Sequence, residues 1–162
     1  MKPTNYKDKI KTREEIIQIA EKARREGKTV VTINGSFDLL HAGHLDILEE
    51  AAKQGDILIV GLNSDKSVKS YKGESRPIIP EQHRARMLAA LGFIGYVTLF
   101  DEKESLNFVE SIKPNVHVNG SDYGENCIEA PIVKKYGGKM HMVEHRTPIS
   151  TSKIIDKIKN NL

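Results

Sequence analysis

The sequence predicts an α/β protein with a doubly wound, five-stranded parallel sheet. Two observations carry that prediction. Five short runs rich in Val and Ile, apolar on both faces, recur at 29–34, 56–62, 96–100, 115–119 and 139–143, the pattern of strands covered on both sides. Between them lie stretches with helical apolar spacing. Strand and helix therefore alternate, which builds right-handed βαβ units with helices on both faces of the sheet.

Each element has its own local signal. Thr12 and Glu15 make a capping box, and Ile16, Ile19, Ala20 and Ala23 form a stripe that Gly27 ends. This helix reads as an N-terminal extension over 1–27, ahead of a domain over 28–162. A second helix starts near Gly43, with Leu45, Leu48 and Ala52 on one face and Gly55 as its stop. A third runs from Pro80 to Leu91 with Met87, Leu88 and Leu91 inward, and a fourth carries Leu106, Val109 and Ile112 up to Pro114. Pro131 opens a short helix closed by Gly137 and Gly138, and the last begins at Ser150 or Thr151 and buries Ile154, Ile155 and Ile158. Sheets of this kind bind ligands beyond the carboxyl ends of their strands. The candidate segments are therefore 34–43, 62–80, 100–104, 119–130 and 144–151, two of them long enough to suggest function.

Composition narrows the partners. A length of 162 residues with 38% hydrophobic and 29% charged side chains suits one soluble globular domain. The net charge of +3, from 25 basic and 22 acidic residues, is too balanced for a nucleic-acid partner but suits an anionic small molecule met by a local basic cluster. No apolar run approaches the roughly 20 residues of a membrane helix, and the polar N-terminus has no signal-peptide core, so no membrane association and a cytoplasmic location are expected. The lone cysteine, Cys127, excludes an internal disulfide and reads as structural.

The stretch "INGSFDLLHAGHLDIL" (33–48) carries the chemistry. Gly35 and Ser36 let the backbone turn and bring N–H groups toward a ligand, with Phe37 following. His41 and His44 then stand three apart at a helix start, where free N–H groups favour anions and both rings can reach one phosphate. Gly43 leaves room between them. Two histidines at this spacing could instead be zinc ligands or plain helix caps; no third ligand stands at a recognised spacing, so no metal site is assigned. His83, His117, His141 and His145 read as background, the middle two as satisfied strand residues.

"HAGH" after "GSFD" resembles the HxGH signature of the nucleotidyltransferase superfamily, and "ISTSKII" (149–155) is similar to that group's second motif. The stretch "VGLNSDKSVKSYKGESRPIIPEQHRARMLAAL" (60–91) and "VNGSDY" (118–123) resemble D-glycero-β-D-manno-heptose 1-phosphate adenylyltransferases, so the similarity spans about 28–158. "EHRTPIS" (144–150) is similar to glycerol-3-phosphate cytidylyltransferases, although one residue shorter, and Gly95 stands where the heptose family usually has aspartate. The resemblance implies a Rossmann-like nucleotidyltransferase domain that moves an adenylyl group from ATP to a sugar phosphate; cytidylyl transfer to glycerol 3-phosphate is the alternative. It implies catalytic roles for His41, His44 and Lys72, and nucleotide contacts from Gly35, Ser36, Phe37, Gly120, Asp122, Ile149, Ser150, Thr151 and Ser152. Lys72, Arg76 and Arg84 would meet the sugar phosphate, as would Asp38, for which a buried structural cap is an equal reading. Magnesium would arrive with ATP, and a homodimer or larger homo-oligomer is expected.

Overall fold

In the computed structural model, which describes residues 5–161, the five runs become β1 (Val30–Gly35), β2 (Ile57–Asn63), β3 (Tyr96–Phe100), β4 (Val116–Gly120) and β5 (Lys139–Val143). They form one all-parallel sheet in the order β3-β2-β1-β4-β5. The direction of winding reverses between β1 and β4, where Val31 stands beside Val116 and Ile33 beside Val118. A crevice opens above the carboxyl ends of that pair.

Helices α1 (Arg13–Arg25), α2 (Ala42–Ala52), α3 (Asp65–Lys72), α4 (Glu81–Ala90), α5 (Leu106–Ile112), α6 (Ala130–Lys135) and α7 (Thr151–Asn161) complete the described residues. On one face Leu48 and Ala51 of α2, with Ala85, Leu88 and Ala89 of α4, pack on Ile33, Leu58, Val60, Leu62, Val97 and Val118. On the other, α1, α5 and α6 bring Ile16, Ala20, Phe108, Val109, Ile112 and Val133 against Val30 and Ile59. Gly61 of β2 admits the Phe108 ring: a Cβ there would lie 2.7 Å from it.

The helix read as an extension over 1–27 packs on the sheet, with Ile16, Ala20 and Ala23 in the cluster that holds Val30 and Ile59, which leaves its reading as an extension where it stood; residues 1–4 lie outside the described residues. Several expectations are corrected. The stretch 62–80, expected as loop, contains α3, started by the Ser64 hydroxyl accepting from the Ser67 amide at 3.1 Å. Met87 and Ile158, expected inside, are 46% and 51% exposed. The 100–104 turn stays away from the crevice and braces α1 instead, where Arg13 forks onto Glu102 at 2.6 and 2.8 Å. None of the described helices is long and apolar enough to cross a membrane.

Candidate active site

The site begins where β1 ends. After Ser36 the chain passes through two left-handed residues, Phe37 at φ 44° and Leu39 at φ 51°, a costly backbone that persists only where neighbours over-determine it. The neighbours are explicit. The buried Asp38 carboxylate accepts from the amides of Ile78 (2.8 Å) and Ile79 (2.9 Å) and from Arg76 Nε (3.0 Å). These bonds and the Arg76 charge overcome burial and hold its pKa below the ordinary aspartate value. Its main-chain carbonyl accepts from Thr151 Oγ1 at 2.6 Å, tying the start of α7 to this turn.

Arg84 works from below. Its guanidinium, 1% exposed, donates to the carbonyls of Ser36 (2.6 Å), Asn63 (2.8 Å) and Ile79 (2.8 Å) and to Asp65 (2.8 Å). Asp38 and Arg84, expected to touch a sugar phosphate, thus spend their polar atoms inside the protein, while Arg76 gives its Nε and one Nη to Asp38. They shape the turn; a buried charge is stable only when paired in this way.

The turn delivers His41 as the residue capping α2 and His44 three residues on. Each ring accepts from the other's main chain: His44 N donates to His41 Nδ1 (3.3 Å) and His41 N to His44 Nδ1 (3.4 Å). The rings stack with centroids 3.7 Å apart, and Phe37 meets His44 edge-on at 5.4 Å. Burial lowers both pKa values; for His44, with His41 and Lys72 also nearby, the value falls to about 4. Both imidazoles are therefore neutral at pH 7, and with Nδ1 accepting, the proton resides on Nε2. The pair presents two uncharged donors.

Gly43 between them lines the cleft and also serves packing. A Cβ there would stand 3.1 Å from the His41 ring and 3.1 Å from the Ile149 carbonyl. The small residue brings the tip of α2 against the segment before α7, which Thr147 also secures by donating to Asp46.

That approach closes a cleft of about 510 Å³. One wall is Gly35, Ser36, Phe37, His41 and His44; the far wall is Ile149, Ser150, Thr151, Ser152 and Lys153; Gly120 and Asp122 form its side and Lys72 reaches in at its mouth. The two motifs separated in sequence thus face one cavity. Ser150 Oγ accepts from the Lys153 amide (3.3 Å), capping α7. Thr151 has committed its hydroxyl to Asp38, so beyond its main chain it is a tie. Lys72, the last residue of α3 rather than part of a loop, donates to Ser36 Oγ at 3.2 Å; burial first, then Arg76, lowers its pKa.

The sequence reading missed His145, which lines the cleft and stands 2.9 Å from Asp122 Oδ1. A Cβ on Gly120 would collide with both side chains, which explains the glycine. It also missed a buried polar layer beneath β4. His117, fully buried, bonds Thr32 Oγ1 through Nδ1 (2.8 Å) while its Nε2 has no partner, so it is only half satisfied. Glu129 accepts there from Ser105 and from Asn119 Nδ2 (3.3 Å), and burial raises the pKa of the neighbouring Cys127 thiol. Among the described residues no three His, Cys, Asp or Glu side chains gather as a metal cage.

Comparisons with known proteins agree with this geometry. The sequence profile of the Cytidylyltransferase-like family matches residues 32–158. The bifunctional protein HldE of Syntrophotalea carbinolica is 45% identical over 154 residues, covering 94% of this chain and 31% of that protein. HldE of Campylobacter jejuni subsp. doylei is 43% identical over 157 residues, covering 96% and 32%. The chain thus spans about a third of the length of these curated relatives. A lipopolysaccharide core biosynthesis protein from Thermoplasma volcanium superimposes with a TM-score of 0.60 at 28% identity, over 76% of this chain and all of that one. Pantoate-beta-alanine ligase from Francisella tularensis, at 0.59 and 13% identity over 93% and 76%, shares the fold.

Proposed function

The chain belongs to the cytidylyltransferase-like family of nucleotidyltransferases, and on that premise we propose that it transfers an adenylyl group from ATP to D-glycero-β-D-manno-heptose 1-phosphate. The observation that carries the reading is the convergence of the His41–His44 pair and the Ser150–Ser152 segment on one cleft. A phosphate oxygen of the sugar attacks the α-phosphorus of ATP; that bond forms as the bond to the β-phosphate oxygen breaks, and pyrophosphate leaves with ADP-heptose as product. The nucleophile is already ionised, so the protein supplies position and charge stabilisation rather than a base.

The Nε2–H groups of His41 and His44 donate to the phosphate oxygens as charge grows on them. The amides at the start of α7 and the Ser150 and Ser152 hydroxyls hold the outer phosphates. Lys72 meets the sugar phosphate at the cleft mouth. Magnesium carried with ATP would screen phosphate charge, held by phosphate oxygens and water, since Asp38 is already saturated. The relatives named for HldE and for lipopolysaccharide core synthesis support a product destined for surface polysaccharide. A cytoplasmic location and a homo-oligomer belong to the same proposal.

A second reading, cytidylyl transfer to glycerol 3-phosphate, is favoured by the "EHRTPIS" stretch, whose His145, Thr147 and Pro148 line the cleft. Pyrophosphate release across ATP and CTP, each with heptose 1-phosphate and glycerol 3-phosphate, separates the two. Release with ATP and heptose 1-phosphate alone is the expected result. Release only with CTP and glycerol 3-phosphate overturns it in favour of the second reading, and no release with any pair overturns both.

A further inference from the structure

β4 ends in Asn119 and Gly120, and Asn119 lines the cleft although only 6% of it is exposed. Its backbone is fixed by parallel pairing beside Met142 of β5. Its amide is fixed as well. Nδ2 donates to Cys127 Sγ and to Glu129 Oε2, each at 3.3 Å, which uses both of its hydrogens. Glu129, the residue that opens α6, accepts on its other oxygen from the Ser105 hydroxyl. Burial opposes its charge, but the Ser105 bond, its own amide and nearby His117 hold its pKa below the ordinary glutamate value. An ionised carboxylate only accepts, so the Asn119 amide cannot turn over without setting its carbonyl oxygen against Glu129. The remaining atom of that amide, Oδ1, meets no donor among the described residues, yet it is not sealed in the interior. Asn119 therefore offers the cleft a hydrogen-bond acceptor whose direction the buried layer has set.

Resting on the nucleotidyl-transfer reading above, we infer that Asn119 selects the nucleotide's base, its Oδ1 accepting from an exocyclic amine, with Glu129 as the positioning residue that keeps the amide in that sense. The class of base is then adenine or cytosine. Hypoxanthine, guanine and uracil put a keto oxygen where those two carry the amine. Two acceptors facing each other form no bond and leave both oxygens stripped of water. Phosphate, which brings only acceptors at neutral pH, is refused on the same ground. Asp122, two residues on in the same cleft, suits the ribose diol, since a carboxylate accepts from hydroxyls, and a ribose held there sets its base beside the end of β4.

Calorimetry on the full chain tests this with ATP, inosine triphosphate and 2′-deoxy-ATP, titrated into the wild type, Asn119→Ala and Glu129→Gln. The wild type is expected to bind ATP about tenfold more tightly than inosine triphosphate. Asn119→Ala weakens ATP about tenfold, leaves inosine triphosphate unchanged and so erases the preference. Glu129→Gln can accept as well as donate, which frees the Asn119 amide to turn over: ATP stays within about threefold of wild type while the preference shrinks by at least about threefold. A wild type without the preference, an Asn119→Ala that keeps it, or an Asn119→Ala that loses both triphosphates equally overturns the base contact. So does an Asn119→Ala that erases a preference for ATP over 2′-deoxy-ATP instead, since Oδ1 would then serve the ribose. A Glu129→Gln that keeps the full preference overturns the positioning role, and it stands as the test should Asn119→Ala fail to fold. Pyrophosphate release by the wild type separates the two readings: base preference without release sinks transfer alone, and release without base preference sinks the Asn119 contact alone.

Discussion

At the scale of the residue, the pair His41 and His44 shows how backbone fixes chemistry. Each Nδ1 is occupied by the other residue's amide, which assigns the proton to Nε2. His44→Ala is expected to lower turnover by about a hundredfold, or about 3 kcal/mol of transition-state stabilisation, in a pyrophosphate-release assay. His41→Asn separates roles: asparagine is a good helix cap, so the melting temperature holds while turnover falls by a similar factor. Lys72→Met is expected to raise KM for the sugar phosphate well beyond that for ATP; equal increases would contradict its place at the cleft mouth. The HAGH spacing was legible because both histidines lie within one turn of a helix. His145 was not, since its segment is placed by long-range ties from Thr147 to Asp46 and Thr151 to Asp38 that leave no local pattern. Arg84 was misjudged, and Asp38 left between ligand contact and buried cap, for a related reason: sequence shows a charge but not whether the fold consumes it.

At the scale of the element, the tip of α2 meets the segment before α7 because Gly43 allows it. Gly43→Ala pushes a methyl toward the Ile149 carbonyl and the His41 ring. The expected result is a loss of at least about tenfold in kcat/KM with a stability change of only about 1 kcal/mol, read by kinetics and thermal denaturation. Arg84→Met, by contrast, strands three carbonyls, that of Asn63 fully buried, and leaves Asp65 unpaired, and is expected to cost about 3 kcal/mol in denaturant unfolding. The strands were readable because each is apolar on both faces. Helix α3 was not: it is only eight residues long with Val68 as its one buried apolar side chain, too short a stripe to stand out, and Ser64 as a cap was its clearest local signal. In α7 the isoleucine spacing was correct for a helix but did not say how much of that face finds a partner.

At the scale of the molecule, the order β3-β2-β1-β4-β5 places the carboxyl ends of β1 and β4 side by side and so joins motifs distant in sequence. Alternation of strand and helix revealed the class, but the cleft closes where Thr147 and Thr151 tie the start of α7 to Asp46 and Asp38, which no periodicity encodes. Acid stability is also a property of the whole. Burial holds His41, His44 and His117 neutral, with pKa values below the unfolded 6.5. The unfolded chain then binds more protons between pH 6.5 and about 4, so stability falls as pH drops through that window, and protonation of His44 alone accounts for up to about 3 kcal/mol of the loss. Below it Glu102, lowered to about 2 by Arg13, adds a further loss. Unfolding free energies from pH 4 to 8 check this, and His44→Asn is expected to flatten part of the slope. The uncharged imidazoles have one more effect. A wall of uncharged donors exerts little long-range pull on free sulfate or orthophosphate, so the salt sensitivity of the cleft is expected to rest on its charged lining, Lys72, Lys153 and Asp122.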